Sequence, residues 1–99
     1  MTMSEDMVIT VARSVFDINK AAHDKGLMTT WTIYNKPKDF PDGFIARCFH
    51  IGGGEPEPVA TNFAISGELI LIRECMERCG LVRMMRSPGD HPSVVETWM

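Results

Sequence analysis

No run in this chain approaches the ~20 apolar residues that a membrane-spanning helix needs, so no helical membrane anchor is expected. Neither charge is in marked excess: ten Lys and Arg stand against thirteen Asp and Glu, for a net charge of −3. Nucleic-acid binding draws affinity from concentrated basic residues that displace phosphate counterions, and no such concentration is present. Nucleic acid is therefore a poor candidate partner. Cysteine is scarce and odd in number, three in all, which rules out complete pairing within the chain. Glu5 and Asp6 stand where a secretory leader would be basic, and no long apolar segment follows. Reduced thiols in a cytoplasmic protein are the expectation.

What is there suits one small folded domain. The chain has 99 residues and is 44 % hydrophobic, which leaves room for a single thin core. Residues 1–26 read as a helix that Ser4 can cap and Gly26 can end. Val8, Val11, Val15 and Ile18 recur at helical spacing, and Ile9, Ala12 and Phe16 widen the stripe. Such a face must pack on this domain's own sheet or on a neighbour, and the second choice makes Val8, Val11, Val15 and Ile18 a candidate oligomer interface. Residues 29–35 and 44–51 read as strands, joined through Pro37, Pro41 and Asp42-Gly43. Residues 52–58 form a turn, and a short extended piece follows over 59–65. Ser66 is placed to cap a second helix running to Cys79, with Leu69, Ile72, Met76 and Cys79 facing inward. Residues 81–86 and 93–98 complete the pattern as strands.

The expected fold is α+β, a small, mainly antiparallel sheet in the order α-β-β-α-β-β. One helix packs on the sheet, and residues 1–27 form an amphipathic extension to a domain spanning 28–99. The second strand, with Ile45, Arg47, Phe49 and Ile51 on one side and Phe44, Ala46, Cys48 and His50 on the other, reads as buried on both. That pattern points to cover on both faces of the sheet, from a further layer or a second subunit.

Trp31-Thr32-Ile33-Tyr34, with Pro37, Asp39, Phe40 and Pro41 after it, and the tail Val94-Val95-Glu96-Thr97-Trp98 carry a resemblance. The chain from Met28 to Trp98 resembles a family of short proteobacterial proteins without an assigned function. The resemblance therefore implies no activity, cofactor or catalytic residue. Cys48 departs from it, standing where a second Arg after Arg47 would strengthen a basic surface.

Chemistry-bearing residues are sparse. Cys75 and Cys79 are one helical turn apart, but the paired Cys or His spacing of a zinc site is missing. Both lie toward a helix C-terminus, where the dipole disfavours a thiolate. Gly52-Gly53-Gly54 is followed by Glu55-Pro56-Glu57-Pro58, which would repel phosphate and remove backbone donors. No catalytic group, metal or cofactor is assigned. The leading expectation is a non-enzymatic interaction module that forms a dimer or joins a protein partner. The alternative is a small-ligand binder or enzyme, with a pocket between sheet and helix lined by Trp31, Tyr34, Asp39 and Arg47. A third class, a weak nucleic-acid binder, would draw on Lys36, Lys38, Arg47, Arg83 and Arg86.

Overall fold

A helix whose apolar residues recur every three or four positions must lie on something, and here it lies on the chain's own sheet. In the computed structural model, residues 5–35, 43–86 and 88–99 are described. Helix α1 spans Glu5–Asp24, and strands β1 (Met28–Asn35), β2 (Phe44–Ile51) and β3 (Val59–Gly67) follow. Helix α2 (Leu69–Arg78) then leads to β4 (Arg83–Met85) and β5 (Val94–Trp98). The five strands form one sheet in the order β3-β2-β1-β5-β4, with every pairing antiparallel. The principal extents are 40 × 31 × 22 Å, and the short axis is the thickness of one helical layer on one sheet.

The order α-β-β-β-α-β-β corrects the expected α-β-β-α-β-β. The piece over 59–65 is a full strand of nine residues at the sheet's edge. Its residues are mostly exposed and do not alternate cleanly, so its periodicity is weak. Ser66 lies within β3, opposite Ile45, and does not cap α2. Glu68 takes that position, with no side-chain hydrogen bond to the helix. Ser4 lies outside the described residues.

Both helices end in the same way. Gly26 and Gly80 adopt φ of 78° and 77°, a left-handed conformation that suits glycine. The amide three residues past each helix then bonds back five residues, Leu27 N to Ala22 O and Leu81 N to Met76 O. These turns send the chain directly into β1 and toward β4.

The core lies between the helices and one face of the sheet. Val15, Trp31, Ile33, Ala46, Cys48, Ile72, Met76 and Trp98 form its main cluster. Val8, Ala12 and Cys75 form a second between the two helices. Helix α1 thus belongs to the same core as residues 28–99. Val8 and Val15 are fully buried within the chain, and Val11 and Ile18 pack against the main cluster. This corrects the intersubunit role expected of the four: their stripe is already covered at home by β1 and α2.

Asn19 fastens α1 to β1. Its Oδ1 accepts the Thr29 hydroxyl at 2.7 Å and the Trp31 indole N–H at 2.9 Å. Two donors that burial would otherwise leave unpaired are satisfied by one side chain.

Candidate functional site: the helix-free face of the sheet

Directly paired residues in an antiparallel sheet project to the same side. Trp31 pairs with Cys48 and Trp98, and Ile33 with Ala46 and Glu96, so these side chains share the helix-covered face. Thr32 pairs with Arg47 and Thr97, and Tyr34 with Ile45, so these share the other face. The expected pocket of Trp31, Tyr34, Asp39 and Arg47 is therefore divided. Trp31 is fully buried in the core, whereas Tyr34 and Arg47 lie on the far side of the sheet. Residues three apart in a strand point to opposite sides, and that parity was available from the sequence alone. Asp39 lies outside the described residues.

The far face has an unusual composition. Strand β1 contributes Met28, Thr30, Thr32 and Tyr34, and β2 contributes Ile45, Arg47, Phe49 and Ile51. Strand β3 adds Ala60, Ala64 and Ser66, while Thr97 and Met84 continue the row on β5 and β4. An antiparallel sheet with one side in water normally alternates apolar-in with charged or polar-out. Here the outward side of the two central-most long strands carries Ile45, Phe49 and Ile51 and a single formal charge, Arg47. No helix among the described residues lies over it.

Arg47, Tyr34 and Asp90 influence one another at one end of this face. Partial burial pushes the Tyr34 phenol above its ordinary range; the Arg47 guanidinium pulls it back, and the Asp90 carboxylate pushes it further up. The phenol is neutral at physiological pH and available as a hydrogen-bonding group within an otherwise apolar surface.

The helix-covered face holds its charge differently. Arg73 of α2 donates to both oxygens of Glu96, from Nε at 3.0 and 3.2 Å and from Nη2 at 2.6 Å. The Trp98 indole donates to Glu96 Oε2 at 2.8 Å. Burial would raise the Glu96 carboxyl, but the hydrogen bonds from Arg73 and Trp98, with the Arg73 and Arg83 charges, hold it below the usual range. Glu96 is 3 % exposed, and its charge is fully paired. This group ties α2 to β5 and has no acid or base left to offer.

The cysteines are structural. The Cys75 thiol donates to Val8 O at 3.7 Å and the Cys79 thiol to Ala12 O at 2.9 Å, stitching α2 to α1. Burial pushes Cys75 up to about 11, with Cys79 and Glu74 adding to the shift, and burial raises Cys48 and Cys79 as well. No group of three potential metal ligands occurs among the described residues. Of the basic residues named for nucleic acid, Arg47 and Arg83 lie on opposite sides of the sheet. Arg83 pairs with Trp98 and so lies on the helix side, Arg47 is on the other, and Lys36 and Lys38 lie outside the described residues.

No family model matches the chain, and no curated protein or solved structure matches it either. No helix among the described residues is long and apolar enough to cross a membrane.

Proposed function

We propose that this chain is a non-enzymatic interaction module that works as a homodimer, with the helix-free sheet face closed against the same face of a second copy. The observation that carries this reading is the composition of that face: Ile45, Phe49 and Ile51 beside Tyr34, with Arg47 as the one formal charge on its β1 and β2 rows. Interface cores are depleted in charge and enriched in aromatic residues and arginine, and this face has that character. Two sheets stacked in this way sit about 10 Å apart and bury interdigitated side chains.

Light scattering tests the reading. The wild-type chain is expected at twice 11.1 kDa, and Phe49→Glu at the single mass with an unchanged circular dichroism spectrum. A wild-type chain that stays at the single mass up to millimolar concentration would overturn it.

A further inference from the structure

Two helices do not span five strands, and the uncovered strip on the helix side of the sheet forms a cleft. Its volume is about 330 Å³, within the range of small-molecule sites. One wall is a single stripe of α1: Asp17, Ile18, Ala21 and Ala22, continued by Lys25 just beyond the helix. Leu27, His50 and Phe63 make the opposite side. Asp17 and Lys25 are eight residues apart, about 12 Å along the helix axis, so opposite charges mark the two ends of one wall. Both are exposed, and neither has an ion-pair partner among the described residues. The surface between them is apolar, and Phe63 presents its ring there at 47 % exposure. His50, on that opposite side, carries the single buried side-chain nitrogen or oxygen among the described residues that lacks a hydrogen-bond partner, Nε2.

We infer that this cleft binds a short apolar peptide with free termini, about three residues long, whose charged ends are far enough apart to reach both ends of the wall. Its N-terminal ammonium lies toward Asp17, its C-terminal carboxylate toward Lys25 and its central side chain against Phe63 and Ala21. The inference is independent of the dimer, because the cleft and the proposed interface lie on opposite sides of the sheet.

The test is a titration of the full-length chain followed by amide NMR, with three probes that share the sequence Gly-Phe-Gly. The free tripeptide carries both charges, its C-terminal amide only the ammonium and its N-acetyl form only the carboxylate. Saturable shifts are expected in α1 around Asp17 and Ala21 and at His50 and Phe63. The free tripeptide is expected to bind about tenfold more tightly than either single-charge probe. Asp17→Asn and Lys25→Met, both at exposed positions that leave the fold intact, are each expected to lower its affinity to the single-charge level. Equal binding of all three probes, shifts confined to another surface, or no saturable shift at millimolar probe would each overturn the inference.

Discussion

The two faces of this sheet are made from the same strands yet solve opposite problems. On the helix-covered face, Trp31, Ile33, Ala46 and Cys48 are fully buried, and the one carboxylate present, Glu96, is bonded by Arg73 and Trp98. On the other face, Ile45 is buried, Phe49 and Ile51 are half-buried, and Met28 and Met84 are about half-exposed, at 57 % and 48 %. The first face is finished within the chain. No helix among the described residues covers the second, although Thr30 and Ile45 on it are buried. The scarcity of charge on its β1 and β2 rows is the ground for the proposed interface.

The contrast can be broken most severely from the finished side. Deleting residues 1–27 removes Val8, Ala12 and Val15 from the core and uncovers Ile72, Cys75 and Met76 together. Residues 28–99 alone are expected to lose cooperative thermal unfolding and dispersed amide signals. A well-folded fragment would restore the view of α1 as an extension. A smaller blow to the same face is Arg73→Met, which leaves a buried carboxylate unpaired and should cost roughly 3–5 kcal/mol in urea unfolding.

The pH dependence sharpens the comparison. Glu96 is held below its unfolded value, so its contribution is fully present above the ordinary carboxylate range. It is lost as pH falls through the depressed folded value. Stability of the wild-type chain should therefore drop below about pH 4, and Glu96→Gln should flatten that part of the profile while lowering stability at neutral pH. An unaltered acid limb in Glu96→Gln would remove this pair from the account.

The unfinished face should respond in association and hardly in folding. Thr32→Lys places a second cation beside Arg47 and is expected to weaken dimerisation by about tenfold or more. It should shift protomer stability by no more than about 0.5 kcal/mol, as surface substitutions do. The mildest probe is chemical: Cys75, with its thiol pushed up to about 11, should resist iodoacetamide at pH 8 in the folded chain and react once the chain is unfolded. Rapid native labelling of Cys75 would mean that the α1–α2 contact opens readily.

Much of this arrangement is legible in the sequence where one period dominates. The α1 stripe, the alternation of β1 and β2 and the glycine stops at Gly26 and Gly80 all declare themselves. The edge strand β3 does not, because Thr61, Asn62 and Phe63 cross a bulge opposite Cys48 and break the alternation. Its geometry depends on a tertiary contact, the Thr61 hydroxyl donating to the Cys48 carbonyl at 2.8 Å. The candidate site was readable only in part. Tyr34 and Arg47 share a face, but it is the helix-free one and not the side between sheet and helix, and strand parity separates both from Trp31. The apolar residues on both sides of β2, Arg47 and His50 apart, are the sequence feature behind the proposed cover of the second face. The α1 cleft could not be read at all, since Asp17, His50 and Phe63 meet only when the helices leave part of the sheet uncovered.

The central claim is that the helix-free face is covered by a second copy, and methyl NMR with a soluble paramagnetic probe tests it most directly. The Ile51 and Ala64 methyl signals are expected to be protected at millimolar protein and to become sensitive to the probe on hundredfold dilution. Ile70, 71 % exposed on α2, should be sensitive throughout. If the Ile51 and Ala64 signals broaden like Ile70 at every concentration, the face is open to water and the account is wrong.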